Sequence, residues 1–243
     1  HLPEYGGPVW VLSTAMSTAP FTVEMGSGPR RPGDIAGWLG MLRGAQHVHY
    51  RIDVKIGGHE HNWRRAEVHS GLLRLLGSSM CVAAHIATAC GPWSAVKFVA
   101  DGGPRPIFTL DAVDGINDPT AVERRLIDGA LADAAFVAFA FGTMAERTAH
   151  CSIEHPMGQG RDALSPSTGC ELHATLMHTT AVAAALAKHA HVQVVFDRCM
   201  TDTATRKATQ LIATPLLGAE LRPRLGVLAC TLGADPSHRH AEQ

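Results

Sequence analysis

Between His47 and Ile56 polar and apolar residues alternate, with Val48, Tyr50, Ile52, Val54 and Ile56 set against His47, His49, Arg51, Asp53 and Lys55. A period of two predicts a half-buried strand. Gly57-Gly58 ends it in a turn, because glycine reaches positive φ without steric cost. Other windows predict a strand over 8–14 with a Ser/Thr/Ala-rich loop behind it, and a helix over 34–42. A long helix is expected over 67–89, open to a break near Gly77 and closed by Gly91-Pro92. Short strands at 95–100 and 106–110 flank a Gly/Pro turn. Asn117-Asp118-Pro119 predicts a helix start, with Asp118 as N-cap, running to about Asp133. The unbroken apolar run 134–141, AAFVAFAF, predicts an inner strand buried on both faces. Beyond it, 142–169 reads as irregular, followed by a helix over 170–187, a strand over 192–197, a helix over 202–220 and a strand over 225–230.

Strands mostly followed by helices predict one α/β domain over residues 1–243, three-layered, with a mixed or mostly parallel sheet covered by helices. The long segment 142–169 is expected to border a functional pocket, since long aperiodic loops in compact domains carry function more often than packing. The C-terminal residues are expected to form a flexible tail. Composition agrees with a folded, layered chain: 46% of residues are hydrophobic but only 5% aromatic, so small side chains must bring helices close to strands. No internal repeat and no inter-domain linker is visible.

Charge narrows the partners. The formal net charge is -1, from 21 basic and 22 acidic residues, and the basic pairs Arg30-Arg31 and Arg64-Arg65 are not extended into blocks. Nothing there attracts nucleic acid or an anionic membrane over distance. The apolar stretch 72–89 is interrupted by Arg74, Ser78, Ser79, His85 and Thr88, so no membrane span is expected. The six cysteines are scattered without a CxxC pair, which predicts reduced, buried thiols and a cytoplasmic location. Ala-rich helices of low charge suit a homo-oligomer.

The chemistry is sparse. Glycines 102, 103, 115, 158 and 160 make neither GxGxxG nor a P-loop, and GxSxG and HExxH are missing. What stands out is His59-Glu60-His61 after the glycine turn, beside a strand carrying His49. On an extended chain an HxH pair puts two imidazoles on one side, and zinc takes three protein ligands plus an activated water. These residues therefore predict a metal site of His59, His61 and His49, zinc being the first choice. Glu146, His150 and Glu154 in the expected loop are the candidate proton carriers. Together they predict a metal-dependent hydrolase acting on a small molecule. The pattern recurs as His189-Ala190-His191 and His238-Arg239-His240, which a histidine-rich composition also explains. Two alternatives stand beside it: a cysteine-dependent small-molecule enzyme using Cys170 or Cys151, and a non-catalytic binding or assembly subunit.

One family resemblance touches the same residues. The stretch HEHNWRRAEVHSG is similar to the zinc-binding histidine strand of the 6-pyruvoyl- and 6-carboxy-tetrahydropterin synthases, and TLDAVDGINDPTAVERRLIDGAL looks like a later segment of that family. The resemblance implies that His59 and His61 are paired zinc ligands, with His47 or His49 as the third. It departs from the family at Ala112, where the family has a histidine, and at Val122, which interrupts its Pro-Thr-Ala-Glu run.

Overall fold

The computed structural model describes residues 19–26, 48–93, 103–156, 173–197 and 208–226. Within them lie six strands: β1 Phe21–Met25, β2 Val48–Ile52, β3 Cys81–Ala87, β4 His150–Pro156, β5 Val192–Asp197 and β6 Ala208–Ala213. The helices are α1 Val54–Gly57, α2 Ala66–Gly77, α3 Ala121–Glu146, α4 Thr180–Lys188 and α5 Pro215–Leu225. The strands form one sheet in the order β2-β1-β3-β4-β6-β5. β2, β1, β3 and β4 run parallel, and β6 is antiparallel to both β4 and β5. The expected fold class is therefore observed: a single α/β domain with a mixed, largely parallel sheet flanked by helices.

Parallel pairing requires crossovers, and these place the helices. α2 packs on β3 and α3, while α3 packs on β3, β4 and α4. Against this layer the sheet turns Phe21, Val23, Met25, Ile52, Ala84, Ile86, Cys151, Ile153 and Ile212, all fully or nearly fully buried in one core. The opposite face differs along its length. Under α5 it is apolar, with Val194, Phe196, Leu211 and Ala213 clustered against Leu217, Leu221 and Leu225. Across β2, β1, β3 and β4 it is polar. The register aligns Arg51, Glu24, His85 and Ser152 in one row.

Several expected elements are corrected. Residues 134–141 are not a strand but the middle of α3, whose buried Ala130, Ala134, Val137, Phe141 and Met144 recur at helical spacing. Phe139, facing the other way, is 53% exposed. The cap of α3 is Thr120 rather than Asp118. Its hydroxyl accepts from the Glu123 N–H at 3.3 Å and the Glu123 carboxylate accepts from the Thr120 N–H at 2.7 Å, a reciprocal capping box. The segment 142–169 is not irregular throughout: α3 continues to Glu146 and β4 occupies His150–Pro156, while 157–169 lies outside the described residues. The helix expected over 67–89 ends at Gly77. Ser78 is extended, its hydroxyl accepts from the Met80 N–H, and the chain enters β3. Of the expected helix 202–220, residues 208–213 form β6, and Pro215 opens α5 because proline suits a first helical turn. The expected helix over 170–187 begins later, at Thr180. Residues 106–110 form no strand, contributing only bridges at Thr109. The expected elements at 8–14, 34–42 and 95–100 and the C-terminal tail fall outside the described residues.

Candidate functional site

β1 was not anticipated; its five residues are all buried, and they fall where a loop was expected. It ends at Gly26, whose φ is +76°, and a Cβ there would sit 1.7 Å from the Ala87 carbonyl oxygen. Only glycine fits between the ends of β1 and β3. The Gly26 N–H donates to the Ile52 carbonyl at 2.8 Å, tying the turn to β2 as well.

β2 stops one residue further on for a local reason. Asp53 is extended and its Oδ1 accepts from the Lys55 N–H at 2.7 Å, so the carboxylate caps the single turn of α1. The alternation that continues to Ile56 in sequence is thereby broken, leaving Val54 and Ile56 about half exposed. The Asp53 N–H donates to Nδ1 of His61 at 3.2 Å, which places the imidazole hydrogen on Nε2. That Nε2 is buried and has no partner among the described residues.

From β1 the chain goes to β2 on one side, and β3 lies on the other, so the sheet has a topological switch point at the carboxyl end of β1. A crevice of about 500 Å³ opens there, bordered by Gly26, Asp53, Lys55, Ala87, Thr88 and Glu154, with Asn62, Trp63, Arg64 and Asp133 on its wall. Thr88 is 9% exposed, and its hydroxyl has no partner among the described residues. The wall is held by Asp133 of α3, a carboxylate only 3% exposed. It accepts from Arg64 Nε at 2.9 Å and Nη2 at 2.6 Å, and from Trp63 Nε1 at 2.9 Å. This two-pronged pairing raises the Arg64 pKa, the hydrogen bond to Asp133 outweighing burial. Trp63 also stacks on Phe136, with ring centroids 6.0 Å apart.

The polar sheet face leads into the crevice. Thr22 Oγ1 and His49 Nδ1 are 2.7 Å apart, His49 Nε2 is 3.1 Å from Glu24 Oε2, and Arg51 Nε is 3.6 Å from the same oxygen. On the next strands His85 Nδ1 is 2.9 Å from Ser152 Oγ, and His85 Nε2 is 3.7 Å from Glu154 Oε2.

The candidate metal residues are distributed as follows. His59 is exposed on the short 3-10 turn Gly58–His61, His61 is buried under the end of β2, and His49 is in the sheet with Thr22 and Glu24. Among the described residues no three His, Cys, Asp or Glu side chains are grouped so as to hold a metal ion. Of the proton carriers, Glu154 borders the crevice. Glu146 is exposed at the end of α3, paired with Lys188 at 2.8 Å, which lowers its pKa through that hydrogen bond. His150 is exposed at the start of β4. Cys151 is fully buried, and burial pushes its thiol well up, as it pushes neighbouring Cys81 to about 11. Cys170 lies outside the described residues.

The residues missed in the sequence are Gly26 and Asp53. Their signal was the alternation of Phe21, Val23 and Met25 with Thr22 and Glu24 running into Gly26-Ser27-Gly28, then an acid just beyond the next strand. No family model, curated protein or solved structure matches the chain, and the pterin-synthase resemblance thus gains no support from them.

Proposed function

We propose that the chain binds an adenosine-bearing sulfonium cofactor, of which S-adenosylmethionine is the type, and transfers a group from it to an acceptor. The observation behind this reading is the position of the crevice, at the switch point, with Gly26 on its border and Asp53 at the end of β2. In open α/β sheets small ligands settle at such points, and a carboxylate at the end of the second strand accepts hydrogen bonds from a ribose diol.

Sequence and charge select the kind of nucleoside. After Gly26-Ser27-Gly28 come Pro29, Arg30, Arg31 and Pro32, so the third glycine of the dinucleotide fingerprint is missing. The two prolines also have no N–H to offer a pyrophosphate. Among the described residues around the crevice, Arg64 and Asp133 neutralise one another, leaving Asp53 and Glu154 against Lys55. Such a wall repels a doubly negative pyrophosphate and attracts a cation. Titration calorimetry with S-adenosylmethionine, S-adenosylhomocysteine, NAD and ATP tests this. Both adenosyl compounds should bind, NAD and ATP should bind more weakly, and Asp53→Ala should lose about tenfold in affinity while remaining folded. No binding of either adenosyl compound overturns the reading.

A zinc hydrolase using His59 and His61 is the second reading, resting on the His59-Glu60-His61 spacing, and it requires His61 to give up the Asp53 N–H so that Nε2 is free of its hydrogen. Zinc content of the wild type, compared with the His59→Ala/His61→Ala variant, tests it: about one zinc per chain lost in the variant supports it, and a metal-free wild type removes it.

A further inference from the structure

Glu154 stands at the β4 end of the crevice, across β1 and β3 from Asp53. Its support comes from the strand register, which sets His85 opposite Ser152 and Ala87 opposite Glu154. Ser152 Oγ lies 2.9 Å from His85 Nδ1, and His85 Nε2 lies 3.7 Å from Glu154 Oε2, so the imidazole sits between the hydroxyl and the carboxylate. His85 and Ser152 therefore flank Glu154 on the polar face of the sheet.

Three strand spacings separate β2 from β4, about 14 Å. The sulfur of an adenosyl sulfonium is one carbon removed from the ribose ring. A ribose anchored at Asp53 thus brings the sulfur over β1 or β3, roughly 5 to 9 Å from Glu154. In a crevice walled by protein, a carboxylate at that range favours a unit positive charge by about fivefold in Kd. During transfer the acceptor's lone pair bonds to the departing carbon, the C–S pair stays on sulfur, and the acceptor's proton passes to solvent. The sulfonium becomes a neutral thioether, and the attraction disappears.

We infer that Glu154, positioned by His85 and Ser152, is the residue by which the crevice tells the loaded cofactor from the spent one. The inference rests on the adenosyl-sulfonium reading above. It gives the site a reason to release its product: the spent form fits the same space with one interaction fewer.

The test is the ratio of the two dissociation constants, S-adenosylhomocysteine over S-adenosylmethionine, measured by calorimetry on the full chain. Glu154→Gln should weaken S-adenosylmethionine about fivefold and leave S-adenosylhomocysteine unchanged or tighter. His85→Asn should lower the ratio by a smaller factor, and it carries the test if Glu154→Gln does not fold. A general loss of stability would weaken both ligands alike and leave the ratio where it was. An unchanged ratio in both variants overturns the inference while the cofactor reading stands. Failure of the wild type to bind either compound overturns the cofactor reading, and this inference with it.

Discussion

Asp133 shows how one side chain can fix the wall of a crevice. A carboxylate inside a helix and 3% exposed is tolerable only with its lone pairs occupied, and Arg64 and Trp63 supply three donors. Replacing it with alanine leaves the Trp63 N–H and part of the guanidinium unpaired. Arg64 is nearly half exposed and regains water, so the expected loss is about 2–3 kcal/mol in urea unfolding rather than the full cost of a buried ion pair. A loss below about 0.5 kcal/mol would show that the wall does not depend on Asp133. Arg64-Arg65 reads in sequence as a surface pair, and its partner 69 residues away leaves no local trace. Gly26 is missed in the sequence, although Phe21, Val23 and Met25 alternate with Thr22 and Glu24 directly before it. His49 and His61 were legible as histidines on or beside a strand, but not their partners, because Thr22, Glu24 and the Asp53 N–H meet them only through register and turn geometry.

At the scale of elements, α3 carries the main lesson. Eight consecutive apolar residues cannot separate a buried strand from a buried helix, so AAFVAFAF by itself predicts a strand that its flanking residues contradict. Extended to Ala130 and Met144, the same run shows the helical stripe that the core uses. Its N-terminus was legible too, in Thr120 and Glu123, a threonine followed three residues later by glutamate. Arg105 first and the Thr120 N–H second hold the Glu123 carboxyl down, to about 2. A depressed carboxyl contributes stability above its unfolded value of 4.5, and that contribution is lost as the pH falls towards 2. Glu123→Gln should therefore melt below the wild type near neutral pH, with the gap in Tm closing between about pH 4.5 and 2. A gap independent of pH would assign the effect to packing instead of charge.

Across the whole molecule, fold class was legible even where single elements were misread, because alternation of strands and helices survives a few errors of type. Strand order was not, since pairing joins residues far apart in sequence. β1 lies inside the sheet with every residue buried, whereas β5 is, among the described residues, an edge strand resting on the small cluster under α5. Amide hydrogen exchange should reflect that difference, with β5 exchanging at least about tenfold faster than β1. Equal protection would mean that the sheet opens as one unit.

The insertion of β6 between β4 and β5 bears on how the protein is made. Synthesis proceeds from the N-terminus, so β5 leaves the ribosome before β6, the one strand it pairs with among the described residues. Until then both β5 and the outer edge of β4 present unpaired backbone, and Val194 and Phe196 lack the leucines of α5. The parallel half can assemble while the rest is still being translated. A nascent chain halted before residue 208 would carry two adhesive edges at once, which makes incomplete copies of this protein natural clients for chaperones and proteases.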